Sequence, residues 1–348
     1  MNMRHEKGKG MTIYDIAKLA GVSPATVSKV LNNRHGVNAD TVVKIQQLLT
    51  ETGFRPRWQA GSYKTVGIIF PPYAGALLDS YDSVILSRCC DELMKFDYSL
   101  ELLCHNRIVR NTSKHKLLGT DSMLAGVIAI TAPPNYSFCQ RLLDDSPAFP
   151  CVVIGKLANT EARSIPERGN HLWSNDFTAG YQLVTLFLRR NHRRFLLVCA
   201  SQHDVGHSHR LEGMCSALHD GGIPKEDIMI QEVKEYLRIS GNQIAMNLAC
   251  KKDKPDAIIF TNGAICCGFI SGCVNMNLRI PEEFSVASFE DSTELEQLPI
   301  PVTAMHTPAE QLGLAAAKNL LMQINHQKLP PPQIIQHQLK LRNTIAQR

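Results

Sequence analysis

The chain lacks several features that would assign it early to a class. No apolar run approaches the roughly 18 residues a membrane helix needs, and the N-terminal MNMRHEKGKG has no apolar core of a secretory signal, so a cytoplasmic protein is expected. The 11 cysteines include the adjacent pairs Cys89-Cys90 and Cys266-Cys267 but no C-x-x-C step. Zinc cages are built on such paired spacings, so no metal is expected, and the cysteines read as small buried hydrophobes in a reducing compartment. His203, His207 and His209 have no companion cysteine and are not taken as ligands. No nucleophile, base and orienting group recur in a recognisable pattern, which argues against an enzyme and against any cofactor. No leucine heptad follows Arg342, so a homodimer is expected over a tetramer.

What is present is an uneven charge. The net charge is +5, yet residues 1–64 hold ten Lys/Arg against four acids, and the remainder holds 27 against 28. A basic excess confined to one end fits a segment that meets a polyanion. That segment contains TIYDIAKLAGVSPATVSKVLNN, Thr12 to Asn33. Thr12 is a ready N-cap with Asp15 three residues on, and Ile13, Ile16, Ala17 and Ala20 share one helical face. Gly21 supplies a helix stop, Ser23 a new cap, and Pro24 a first helical residue whose missing N–H costs nothing. The second helix buries Val27, Val30 and Leu31 and turns Ala25, Thr26, Ser28, Lys29 and Asn32 outward, side chains suited to phosphates and base edges. A third helix is expected from about Asp40 to Thr52, capped by Asn38, with Val43, Ile45, Leu48 and Leu49 closing a small core.

The strings T-I-Y-D-I-A, A-G-V-S and A-T-V-S-K-V-L-N, continuing through VNADTVVKIQQLLTETGFRP, resemble the DNA-binding head of the lactose-repressor (LacI/GalR) family of bacterial transcription regulators. The resemblance implies that the Ser23–Asn32 helix enters the major groove, with Ala25 against a thymine methyl and Lys29 against a guanine edge. Thr12, Tyr14, Ser23, Pro24, Thr26, Ser28, Asn38 and Thr41 would meet phosphates or flanking edges. In the family the following linker folds into a hinge helix that wedges a leucine into the minor groove. Here the hinge residues would be Arg57, Trp58, Ala60 and Tyr63: Ala60 matches, Tyr63 stands at the leucine's place, Gly61 and Ser62 weaken any helix, and the run to the next strand is several residues short. Tyr63 or Trp58 as the wedge and a plain flexible tether are both open.

From Val66 the pattern changes to short apolar runs separated by amphipathic segments: 66–70, 98–104, 126–130, 151–155, 195–199, 228–233, 257–261 and 284–289. Strands alternating with helices predict parallel, doubly wound sheets, here as two lobes of four strands. Fragments such as SNDFTAGYQLVTLFLRRNHRRFLLV, R-L-E-G and NLRIPEEFSVASFEDS resemble the periplasmic-binding-protein-like sensor of the same family. The expected fold is therefore an all-α helix-turn-helix head followed by an α/β two-lobed periplasmic-binding-protein-like domain. Its divisions are a disordered tail at 1–10, the head at 11–55, a hinge at 56–65 and the sensor at 66–348. The N-lobe would take about 66–175 and 306–331, the C-lobe about 176–305 and 332–348, with passages near Asp176, Thr303–Pro308 and Pro330–Pro332.

By residue match the resemblance assigns effector binding to Arg210, to Asn262 (with Gly263 in place of the family's aspartate), to Glu290 in place of an aspartate, to Asp176, and to Tyr73 and Tyr81 as stacking aromatics. Each also has a plain structural reading: Asp176 as a helix cap, Arg210 in an ion pair, the tyrosines as core. The function implied is a sequence-specific regulator, foremost a repressor, that binds a pseudo-palindromic double-stranded operator as a homodimer under control of a small molecule, a sugar or related metabolite, in the interlobe cleft. An activator or ligand-independent DNA binder is the runner-up, and a solute-binding protein is the alternative from another class.

Overall fold

The computed structural model describes residues 12–31, 36–52, 64–70, 80–104, 124–131, 135–144, 149–199, 205–234 and 237–348, except 159, 162, 165 and 333. The tail and nearly all of the linker lie outside these residues.

The head is three helices: α1 (Ile13–Ala20), α2 (Pro24–Leu31) and α3 (Ala39–Thr52). Thr12 and Asp15 form a reciprocal cap. The Asp15 carboxylate accepts from the Thr12 amide and hydroxyl, both at 2.7 Å, and Thr12 Oγ1 accepts the Asp15 N–H. Those bonds hold the Asp15 carboxyl below its usual range. Gly21 ends α1 in the left-handed region at φ 71°. Asn38 caps α3 through its Oδ1, which accepts the Asp40 N–H at 3.0 Å. Ile16, Ala17, Ala20, Val27, Val30, Ile45 and Leu49 make the core of this unit. Val43, expected inside, is 62% exposed; Val42 packs in its place, because the α3 stripe runs through 42, 45 and 49 at the helical period.

The body forms two sheets whose orders, among the described residues, are β11-β5-β4-β3-β1-β2 and β12-β10-β9-β8-β6-β7. The first comprises β1 (Thr65–Phe70), β2 (Ser99–Cys104), β3 (Gly126–Ile130), β4 (Cys151–Ile154), β5 (His171–Ser174) and β11 (Ile334–Ile335). The second comprises β6 (Phe195–Cys199), β7 (Ile228–Glu232), β8 (Ala257–Phe260), β9 (Ser285–Ser288), β10 (Thr303–His306) and β12 (Gln338–Lys340). All pairings are parallel except β10 with β12. The fold class is the one expected, but each sheet has six strands and not four. The missed strands are two to four residues long, and HLWS, TAMH, II and QLK are too short to carry an apolar run.

Helices α4 (Ser80–Met94), α5 (Tyr136–Asp144) and α11 (Ala309–Ile324) cover the first sheet. Helices α6 (Asp176–Leu188), α7 (Val205–Asp220), α8 (Arg238–Ala249), α9 (Gly263–Asn275) and the short α10 (Thr293–Gln297) belong to the second. The chain therefore passes between lobes after β5, after β10 and after β11. The third passage falls at Gln336-His337 and not at Pro330–Pro332, because Ile334 and Ile335 still pair with Trp173 and Ser174 of the N-lobe. Most of the cysteines are buried in the two lobes, and burial raises the thiols of Cys89 and Cys139 to about 12, so they behave as apolar filler.

Helices α6 and α7 approach closely enough for backbone to touch backbone. A Cβ on Gly213 would lie 2.0 Å from the Phe177 carbonyl oxygen, and one on Gly180 would lie 2.3 Å from that of Arg210. This approach sets how deep Arg210 is carried. Gly213→Ala is expected to lower stability by about 1–3 kcal/mol through overpacking, read as a shift in the urea midpoint; an unchanged midpoint would show that the two helices are free to separate.

Candidate functional site

The carboxyl ends of the C-lobe strands and the first and third passages converge on one buried cluster. Asp176 opens α6, and its neighbour Asn175 does the capping, accepting the Thr178 N–H at 3.2 Å. The Asp176 carboxylate is thus released from a capping role. Arg210 Nε donates to it at 3.3 Å, and Lys156 Nζ at 3.7 Å and His337 Nε2 at 3.4 Å lie beside it. Burial pushes this carboxyl up, but His337, Arg210 and Lys156 outweigh burial and hold it well below the ordinary range. Arg210, on α7, donates through Nη1 to Glu290 Oε1 at 2.6 Å and to the Thr261 carbonyl at 3.1 Å, and its guanidinium lies 4.5 Å from the centre of the Phe289 ring.

Glu290 follows β9, and its second oxygen accepts from Asn262 Nδ2 at 2.9 Å and from the Gly263 N–H at 3.1 Å. Burial raises the Glu290 carboxyl and Arg210 and His207 lower it, with lowering the net result. The Glu290 side chain thus reaches the N-terminus of α9, where the Gly263 amide meets it. Asn262 meanwhile caps α9, its Oδ1 accepting from Ala264 and Ile265.

Four of the expected effector residues, Asp176, Arg210, Asn262 and Glu290, are therefore one connected network. The ion-pair reading of Arg210 holds, with Asp176 and Glu290 as its partners. Tyr81 is set on the N-lobe side of the cleft. It lies on α4, packed against the N-lobe core, and lines a cavity of about 230 Å³ between the lobes with Val84, Glu290, Asp291, His306 and Glu310. Tyr73 lies outside the described residues. Sequence reading missed Lys156, His337 and His209. Lys156 directly follows a β-strand at its carboxyl end, the position where open α/β sheets place ligand contacts, and that was the available signal. His337 gave none, because it comes from a passage between two strands too short to foresee. Among the described residues no group of His, Cys, Asp and Glu is arranged to hold a metal ion, and no helix is long and apolar enough to cross a membrane.

In the head, Tyr14 is 71% exposed, and Thr12, Ser23, Ala25, Lys29 and Asn38 are exposed as well. Pro24, Thr26, Ser28 and Thr41 are half-buried. Ser23 Oγ accepts the Thr26 N–H at 3.1 Å, and the two hydroxyls meet at 2.9 Å. Asn32 and the linker residues Arg57, Trp58, Ala60 and Tyr63 lie outside the described residues.

Residues 12–57 match the family model described as "Bacterial regulatory proteins, lacI family", and residues 184–345 match "Periplasmic binding protein-like domain". The chain belongs to the lacI family of bacterial regulatory proteins. It is 23% identical to the HTH-type transcriptional regulator DegA of Bacillus subtilis, covering 96% of this chain and 99% of that one. It is 25% identical to catabolite control protein A of Priestia megaterium, with the same two coverages. The lac repressor dimer bound to operator and the anti-inducer ONPF has the same fold, with a TM-score of 0.68 at 20% identity over 97% of this chain and 100% of that one. A CelR–cellobiose complex aligns at a TM-score of 0.67, also at 20% identity, over 96% of this chain and 99% of that one. This lacI-family chain is thus a DNA-binding transcriptional regulator with a sensor domain, and the solute-binding alternative is set aside.

Next to the network, His171 on β5 holds the turn that carries Lys156, its Nε2–H donating to the Gly155 carbonyl at 2.9 Å. Burial drops its pKa to about 4 from the ordinary 6.5. A histidine that stays neutral in the fold and protonates when unfolded contributes stability that is lost as pH falls below 6.5, and the loss levels off near 4. His171→Gln should flatten the loss of stability from pH 7 to pH 5 by on the order of 2 kcal/mol, measured as denaturation midpoints at several pH values; parallel curves for variant and parent would contradict it.

Proposed function

We propose that this chain is a ligand-responsive repressor. It binds a pseudo-palindromic operator as a homodimer, and a sugar or related polar metabolite in the interlobe cleft shifts its affinity for that operator. The observation that carries the sensor half is the convergence of Asp176, Arg210, Asn262 and Glu290 within hydrogen-bonding distance where the lobes meet. The four formal charges of Lys156, Arg210, Asp176 and Glu290 cancel. A neutral polyhydroxylated ligand, which exchanges hydrogen bonds without adding charge, is the class that such a balanced network accepts with least penalty. The CelR complex with cellobiose is a precedent within the same fold.

The operator half rests on the head. Lys29 and Ala25 are exposed on α2 and would face base edges; Thr12, Tyr14, Ser23, Pro24, Thr26, Ser28, Asn32, Asn38 and Thr41 would flank them on phosphates and edges. Arg57, Trp58, Ala60 and Tyr63 would tether the head to the sensor. Effector binding biases the lobe arrangement and so the spacing of two paired heads, and operator and effector affinities are then linked reciprocally. Cofactor-free, non-catalytic action in the cytoplasm is part of the same reading.

Lys29→Ala should reduce discrimination at a single base pair by about 1–3 kcal/mol, whereas Ser23→Ala should weaken all operators alike; equal losses across a panel of operator variants would refute the division of roles. For the sensor, intact protein is screened against a sugar and nucleobase library by thermal shift. Glu290→Gln keeps the side-chain shape and removes the charge, and it should abolish at least tenfold of the operator response to any hit (a coupling of about 1.4 kcal/mol) while the effector-free operator affinity stays within about threefold. A full response in the variant would remove Glu290 from the site.

A further inference from the structure

Lys156 is supplied by the N-lobe, two residues after β4, but its ammonium is delivered into the C-lobe. Its side chain is 2% exposed, and the partners it reaches are His209 Nδ1 on α7 at 2.8 Å and Asp176 Oδ2 on α6 at 3.7 Å. A buried ammonium needs its counter-charge, and removing one member of such a pair leaves the other uncompensated. Two more contacts cross between the lobes beside it. The Val205 N–H at the start of α7 donates to the Tyr136 hydroxyl on α5 at 3.1 Å, and the Arg163 guanidinium lies 4.5 Å from the centre of the Phe177 ring on α6. The three lie together on the α6–α7 lip, away from the second passage, which leads into α11.

We propose that Lys156 is a latch built into the chain, holding the α6–α7 lip of the C-lobe against the N-lobe through the same carboxylate that orients Arg210. Opening that lip requires withdrawing the ammonium from Asp176 and His209, after which Asp176 is left to Arg210 and His337. Latch and effector network thus share one acceptor. A ligand group that takes over Asp176 loosens the lobes, and a ligand that bridges Lys156 and His209 tightens them. The choice of ligand chemistry therefore fixes the sign of the response, a consequence that rests on the cleft being the effector site; the latch itself does not.

The test is hydrogen exchange on the intact, effector-free protein, comparing the parent with Lys156→Met. The first turn of α7, including the Val205 amide, should exchange at least about tenfold faster, because its cross-lobe acceptor moves away, while α11 in the N-lobe core keeps its protection. The radius of gyration from small-angle X-ray scattering should rise in parallel. Faster exchange throughout the molecule would mean that Lys156 is only a stabilising side chain, and unchanged exchange at α7 would mean that it holds nothing; either outcome overturns the proposal. If Lys156→Met does not fold, Lys156→Met/Asp176→Asn, which leaves no unpaired charge at this pair, carries the same comparison with the same expectations. Neither readout involves DNA, so an absent operator would leave this result standing.

Discussion

Asp176 is a carboxylate with 5% exposure, and the architecture around the passages between the lobes depends on keeping it ionised. An isolated carboxylate in that position would protonate. This one remains charged because cations reach it from different parts of the chain: Lys156 from the N-lobe, Arg210 from α7, and the polar edge of His337 from the third passage. Burial keeps His337 itself below its ordinary pKa despite the carboxylate beside it, so it acts near neutrality as a dipole and not as a third full positive charge. Three segments far apart in sequence are thereby required to be near one another before the cost of burying Asp176 is offset. That requirement fixes how the passages are arranged in a way that apolar packing, which is non-directional, does not.

The same constraint explains why the sensor and the head divide the electrostatic work. The basic excess lies before Thr65, where a solvated surface meets phosphates and the attraction is long-ranged and salt-sensitive. In the body the important charges are buried, balanced and short-ranged, so they respond to geometry and to desolvation more than to ionic strength. A molecule entering the cleft would have to exchange hydrogen bonds with this network. Any gain it makes comes from the difference between two lobe arrangements, which is what allows a local event to alter a distant DNA contact.

The head was largely legible in the sequence, because its signals are local: a capping pair at Thr12 and Asp15, a left-handed glycine at 21, a Ser-Pro start, and an apolar stripe. Val43 shows the limit. Two adjacent valines both fit an amphipathic helix, and only the packing direction chooses Val42. In the body, the long apolar strands were readable, while the strands at 171–174, 303–306, 334–335 and 338–340 were not, since two to four residues cannot display a period. The effector residues were named through motif matches, and four of them do meet. Their connection was invisible, because Arg210 joins Asp176 to Glu290 across long stretches of sequence. The Gly263 and Glu290 departures looked like a damaged motif in sequence. In space the two meet directly, the Gly263 amide donating to the Glu290 carboxylate.

The central claim is that a cationic three-helix reader is joined to an ion-balanced two-lobed sensor and directs it to a two-fold symmetric DNA site. The most direct measurement is iterative selection of duplex DNA from a random pool with the purified intact protein, sequencing the recovered fragments. The account predicts enrichment of an inverted repeat whose half-sites are bound together, with retention falling steeply as salt is raised. Recovery of unenriched sequence at every salt concentration would contradict it.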